Sequence, residues 1–207
     1  ACSIDGWWNV NNVQYRALAI GGSDNRIAPT QFLLDCPTNL RNASSYLLRI
    51  DSLSKTPFYN FYITAEQGSG IEIPYGNQGS LISFTGFTIE GRNAGAPCYG
   101  SLVRMDGSST VTFRDTFFGY AMASPATTGR DDAGVIHAVA GSMLIDGCTY
   151  SRATGVDMNV PFFYASGGSH IIRNVRAYGF TGGNKPVVRQ ATAGLINADD
   201  TVTVVTG

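Results

Sequence analysis

Leu81-Ile82-Ser83-Phe84-Thr85-Gly86-Phe87-Thr88-Ile89-Glu90 decides the fold of this chain. Alternation at period two makes Leu81 to Phe84 one strand and Phe87 to Glu90 another. Thr85-Gly86 between them is a two-residue corner whose second member adopts a left-handed backbone without steric cost. The same punctuation recurs at Tyr59-Asn60, Arg114-Asp115, Asp146-Gly147 and Arg173-Asn174. In chain order the second residues are Asn, Gly, Asp, Gly and Asn, all types that tolerate that conformation. Successive corners are 26, 29, 32 and 27 residues apart. A period of that size is the mark of a solenoid.

Aligning the corners brings like side chains into columns. Two residues before the corner residue stand Phe58, Phe84, Phe113, Ile145 and Ile172; one residue after it stand Phe61, Phe87, Thr116, Cys148 and Val175. Two further on are Ile63, Ile89, Phe118, Tyr150 and Ala177. Period-two alternation puts each set on one strand face, and stacking at about 4.8 Å makes continuous inward columns. A second repeat agrees with the first. Leu48-Arg49-Ile50-Asp51 resembles Val103-Arg104-Met105-Asp106 at an offset of 55 residues, the same offset that separates Asn60 from Asp115 two coils along.

Each coil therefore reads as three strands: one into the corner, one out of it, and a third such as Leu102 to Met105. Small pairs (Gly107-Ser108, Gly141-Ser142, Gly168-Ser169) then turn into the next coil. The connections between second and third strands are the longest: Gly91 to Gly100, Gly119 to Gly134, Ser151 to Pro161 and Gly179 to Pro186. Long loops on one side of a regular scaffold are where function usually sits.

Charged residues are 14% of the 207 and net charge is −1, against roughly 25% charged in ordinary soluble domains. Gly, Ser, Thr and Asn must supply the surface polarity. That balance offers no footing for nucleic acid or anionic membranes, and no apolar run approaches the roughly 20 residues of a membrane span. The chain begins at Ala1, and residues 1–30 do not keep the repeat. They are expected to cap the coil or continue from an upstream segment, with the coil domain at 31–207. Leu195 to Val205 looks like a final coil whose corner is not evident, and Thr201 to Val205 would be an aggregation-prone edge unless covered. Cys2, Cys36, Cys98 and Cys148 show no CxxC spacing, so no zinc site is expected. Cys148 reads as a small buried hydrophobe, and a Cys2–Cys36 bridge stays open.

With its Asn/Gly/Asp corners, inward aromatic and aliphatic stacks and long loops after the second strand, the chain resembles the right-handed parallel β-helix superfamily, the pectate-lyase-like fold. Within it, the style is most similar to the coil domain of bacteriophage tailspikes and tail fibres. The resemblance covers roughly residues 32–205. It implies an all-β, right-handed parallel β-helix of about seven coils, assembled as a homotrimer. It also implies a virion or extracellular setting and a bacterial surface polysaccharide as partner. No cofactor or metal is expected. The fold hosts lyases, hydrolases and plain adhesins, so the resemblance carries less for function.

If the glycan is cut, a hydrolase needs two carboxylates about 5 Å or about 6.5–9.5 Å apart, whereas a lyase needs a base beside a group that neutralises the uronate. Asp131-Asp132, in the longest loop, are the candidate acids; adjacent acids in a loop are ordinarily just solvated. Asp157, one coil on, is their candidate partner. His137 follows that loop on a third strand and is the candidate base, although its facing is not evident and a structural role competes. Arg104 and Asp106 are candidate sugar-binding groups, while their repetition at Arg49 and Asp51 argues for a structural pair. Tyr164 would stack on a sugar ring or simply pack, and Glu72 and Arg189 lie on further third strands that would complete a groove. Arg114, Asp146 and Arg173 occupy one outward corner position and read as a structural charge ladder; His170 also reads as structural. The expected function is recognition of a surface polysaccharide by a tailspike-type module, with depolymerisation left open. The alternatives are a non-enzymatic virion spacer or adhesin and a secreted polysaccharide lyase or hydrolase. With Lys55 and Lys185 as the only lysines, an anionic pectin groove is the less convincing of these.

Overall fold

A computed structural model describes residues 2–10, 18–21, 25–35, 46–51, 55–59, 62–65, 69–73, 81–91, 101, 103–120, 134–152, 161–178 and 185–207, with side-chain surroundings described at 81–89, 101, 103–119, 134–151, 161–178 and 185–207. Among the described residues there is no helix, and all strand pairing is parallel. The early strands are β1 (Cys2–Val10), β2 (Leu18–Gly21), β3 (Asn25–Asp35), β4 (Tyr46–Asp51), β5 (Lys55–Tyr59), β6 (Tyr62–Ala65) and β7 (Ser69–Ile73). The chain continues through β8 (Leu81–Thr85), β9 (Thr88–Gly91), β10 (Val103–Met105), β11 (Thr110–Arg114), β12 (Phe117–Tyr120), β13 (Ile136–Ala138) and β14 (Ser142–Asp146). It closes with β15 (Thr149–Arg152), β16 (Phe163–Ala165), β17 (Ser169–Arg173), β18 (Arg176–Tyr178), β19 (Val187–Gln190), β20 (Ile196–Ala198) and β21 (Thr203–Thr206).

From β5 to β20 every third strand joins the same sheet. The incoming sheet runs β5-β8-β11-β14-β17-β20, the outgoing sheet β1-β3-β6-β9-β12-β15-β18, and the third sheet β2-β4-β7-β10-β13-β16-β19-β21. Three parallel sheets visited in rotation are consistent with a parallel β-helix. The 55-residue repeat also holds, since β4 and β10 lie in the third sheet with only β7 between them.

Four of the five corners are where the sequence placed them, and Asn60 lies outside the described residues. Gly86, Asp115, Gly147 and Asn174 have φ of 64°, 48°, 67° and 55°. Each keeps the ladder intact while the chain turns. Gly86 N–H donates to Arg114 O, Asp115 N–H to Asp146 O and Gly147 N–H to Arg173 O, at 3.2, 3.3 and 3.4 Å. The expected inward columns are buried wherever side chains are described, from Phe84, Phe113, Ile145 and Ile172 to Phe87, Thr116, Cys148 and Val175. Ile89, Phe118 and Tyr150 are buried too, but Ala177 is partly open at the end of its column. Phe84 and Phe113 stack with ring centres 4.7 Å apart and planes 9° from parallel, and Phe113 meets Phe118 edge-on at 5.4 Å. Phe162, just ahead of β16, bridges Phe118 and Tyr150 at 5.6 and 4.8 Å.

The turn into the incoming sheet depends on glycine at Gly141 and Gly168, with φ of 77° and 89°. Ser142 N–H donates to Ser109 O and Ser169 N–H to Gly141 O, both at 3.0 Å. A Cβ on Gly141 would collide with the Ser109 carbonyl, and one on Gly168 with the Gly141 carbonyl.

The last coil departs from the repeat. β20 lies in the incoming sheet, but β21 pairs with β19 in the third sheet, so no outgoing strand follows β18. That is why no final corner is evident in the sequence. Side chains replace it. Asp199 accepts the Asn174 N–H at 2.8 Å, and the Thr201 hydroxyl accepts the Val175 N–H at 3.1 Å. Asp199 in turn accepts hydrogen bonds from the Thr201 N–H and hydroxyl. Burial pushes the Asp199 carboxyl up, yet these hydrogen bonds and Lys185 outweigh it and hold it below the usual carboxylate range.

Phe113 touches two other rings in a fully buried column, so Phe113→Ala should lower unfolding free energy by about 3–5 kcal/mol. Urea denaturation measures it, and a loss under about 1 kcal/mol would mean that the aromatic column does not hold the coils together.

Candidate functional site

The third sheet carries the candidate site on its outer face. Its inward positions are buried: Val103, Ile136, Phe163 and Val188 on one side, Met105, Ala138, Ala165 and Gln190 on the other. The residue between them must point outward. Among the residues with described side chains that position is Arg104, His137, Tyr164, Arg189 and Val205, and Arg49 and Glu72 hold the same register on β4 and β7. Residues scattered from 49 to 189 thus form one row stepping at about 4.8 Å per strand.

Five of the residues expected to serve the site are described or placed here. Glu72 holds a register position between Arg49 and Arg104. Arg104 Nε donates to both oxygens of Asp106, at 2.9 and 2.8 Å, and both side chains are partly open, at 26% and 22%. Arg104 and Asp106 therefore make a pair at the end of β10, which is the structural arrangement the repeat suggested. His137 is on the outer row yet only 7% exposed. Its ring lies 5.1 Å from that of Tyr164, and Nε2 shares a hydrogen bond with the Ser166 hydroxyl at 3.2 Å. Tyr164 is half-buried. Asp131, Asp132 and Asp157 lie outside the described residues.

One neighbour, Ser166, went unnoticed in the sequence. Ser166 orients His137, and only the aligned third strands would have placed it there. Arg189 lies beside Tyr164 in register, and its Nε is buried with no hydrogen-bond partner among the described residues.

The row has the equipment of a binding surface: an aromatic ring for stacking, guanidinium groups, and an imidazole held by a hydroxyl. Among its described side chains there is no pair of carboxylates of the kind a glycoside hydrolase uses. Among the described residues no group of three or more His, Cys, Asp or Glu could hold a metal ion, and no helix is long and apolar enough to cross a membrane.

Asp146, Arg173, Asn174, Cys148 and His170 have structural surroundings instead. Arg173 reaches Asp146 at 2.8 Å, and Asn174 Nδ2 donates to its other oxygen at 2.9 Å. The Arg173 hydrogen bond, then that of Asn174, hold the Asp146 carboxyl below its ordinary value. Cys148 is fully buried and its thiol is pushed up to about 12 by desolvation, so it is inert as a nucleophile. His170 sits in an inward column between Met143 and Ile196. Its Nε2 meets Gly167 O at 2.7 Å, and Nδ1 is buried without a partner.

Comparison with known proteins finds no family model, no curated protein and no solved structure that matches this chain.

Burial lowers the pKa of His170 from the ordinary 6.5, with the Gly167 hydrogen bond opposing only in part. The unfolded chain then takes up the proton first, so stability falls as pH drops from 6.5 through the lowered folded value. His170→Met, matching Met143 in the same column, should flatten the fall in thermal midpoint between neutral and mildly acidic pH. An unchanged slope would mean another group governs it.

Proposed function

We propose that this chain is a receptor-binding module of the bacteriophage tailspike or tail-fibre kind, a right-handed parallel β-helix of about seven coils that assembles as a homotrimer. Its ligand is a bacterial surface polysaccharide lying along the outer face of the third sheet. The observation that carries this reading is the outward row of Arg104, His137, Tyr164 and Arg189, with Glu72 at the same register on β7. A straight row with one side chain per strand suits an extended polymer, because each step of about 4.8 Å is comparable with the length of one sugar unit. Tyr164 supplies the apolar platform, and the arginines supply donors for hydroxyl and acid groups.

The Arg104–Asp106 pair is the one feature that favours the structural alternative, a spacer without glycan chemistry, since it satisfies the arginine internally. Cleavage, if the module performs it, falls to Asp131 and Asp132 with His137 as base.

Tyr164→Ala should weaken binding to purified surface polysaccharide roughly tenfold or more, about 1.4 kcal/mol, without shifting the thermal midpoint. Binding that is absent in the parent chain, or unchanged in the variant, would sink the glycan reading of this face. Light scattering after size exclusion should return three times the chain mass; a clean monomer would remove the trimer. In a cleavage assay, Asp131→Ala or Asp132→Ala should abolish depolymerisation with folding intact, and full activity in both variants would exclude those acids.

A further inference from the structure

Arg104 and Arg189 occupy the same outward row, three register steps apart, with His137 and Tyr164 between them. Their surroundings differ in one respect that bears on the ligand. Arg104 has an acid two residues on, Asp106, and its Nε is hydrogen-bonded to it. Arg49 has the same spacing to Asp51. At Arg189 the corresponding residue is Ala191, so the internal acid is missing. Its register neighbours, Tyr164 and Val205, supply no carboxylate either. The Arg189 Nε is nevertheless buried and has no hydrogen-bond partner among the described residues.

A desolvated guanidinium N–H without an acceptor is costly and rare, and it calls for an explanation. The row as a whole suggests one. At its first end Glu72 holds a register position between Arg49 and Arg104, and Arg104 is matched by Asp106. At the other end, from His137 through Tyr164 to Arg189, no acid stands in the row. One end is charge-balanced and the other is a cation beside an aromatic ring. A sugar stacked on Tyr164 would carry its substituent one strand step on, beside Arg189. The group that would replace the missing Asp is a carboxylate, which the terminal N–H groups of a guanidinium pair in a planar fork.

We infer that the outer face of the third sheet takes a carboxylate-bearing polysaccharide, with Arg189 as the residue that binds its acid group. The inference rests on the glycan-binding reading above and specifies its chemistry: an acidic sugar is held at the Tyr164–Arg189 end of the row.

The test uses hyaluronan, alginate and polysialic acid, each in native and carboxyl-reduced form, with dextran and mannan as neutral polymers, in affinity electrophoresis. The parent chain should bind at least one native acidic polymer tenfold or more tightly than its carboxyl-reduced form. Arg189→Met should lose that preference while its thermal midpoint holds or rises, because the variant no longer buries an unpartnered N–H. Arg189→Lys should recover the preference only in part, since an ammonium lacks the planar fork. If native and reduced polymers bind alike, or Arg189→Met keeps the preference, the carboxylate inference is overturned and glycan recognition stands. A fall in the Arg189→Met midpoint with the preference unchanged marks a structural arginine and overturns it equally. Binding to none of the polymers, acidic or neutral, overturns this inference together with the glycan reading.

Discussion

Everything in this molecule depends on carrying a parallel hydrogen-bond ladder around a corner without breaking it. An ordinary residue in a right-handed conformation cannot turn the chain there, and a wider loop would leave backbone groups unpaired. Gly86, Asp115, Gly147 and Asn174 solve the problem by adopting positive φ while their N–H groups still reach the next coil. With that corner repeated, the flanking strands stack in register, and Phe84 falls on Phe113 because the backbone puts it there. The aromatic column is a consequence of the ladder and then stabilises it. Stacked rings contribute about 0.5–1.5 kcal/mol beyond their buried area.

The end of the coil shows what the constraint demands when it is relaxed. The chain passes from the incoming sheet to the third sheet with no outgoing strand. Two corner amides would then lack acceptors, and the side chains of Asp199 and Thr201 take the place of the missing backbone. Gln190 does similar work inside the last coil, accepting from Ile196 N–H and donating to the Thr206 hydroxyl, both at 3.0 Å. These contacts tie down the corner, whereas β21 keeps one edge without a strand partner and leaves Val204 and Val205 exposed.

The three outer faces are not equivalent. On the incoming sheet from β8 onward the described outward positions outside the corner row are Leu81, Ser83, Thr110, Thr112, Ser142, Leu144, Ser169, Ile171 and Asn197, none of them charged. The corner row beside them carries the Arg114, Asp146 and Arg173 ladder. The third sheet is the face that gathers arginine, histidine and tyrosine in one line. Its strands follow the longest connections, so the same side of the scaffold receives the greatest loop variation and the most chemistry-bearing side chains.

The sequence by itself determined the period, the corner residues, the inward columns and the three-strand coil. All of these are local: a left-handed corner needs Gly, Asn or Asp, and burial on one strand face enforces alternation. Even the pairing of Arg104 with Asp106 followed from the Arg49 repeat. The tertiary structure alone decided what register decides. His137 in Val-Ile-His-Ala-Val has apolar neighbours on both sides, so alternation could not orient it; pairing with Arg104 and Tyr164 put it on the outer row. Ser166 became its partner from 29 residues away, and the skipped outgoing strand after β18 left no local sign. Arg189 looked like any groove arginine until its neighbours were known. Whether a guanidinium has found an acid is a property of the space around it, and that space is assembled from coils distant in the chain.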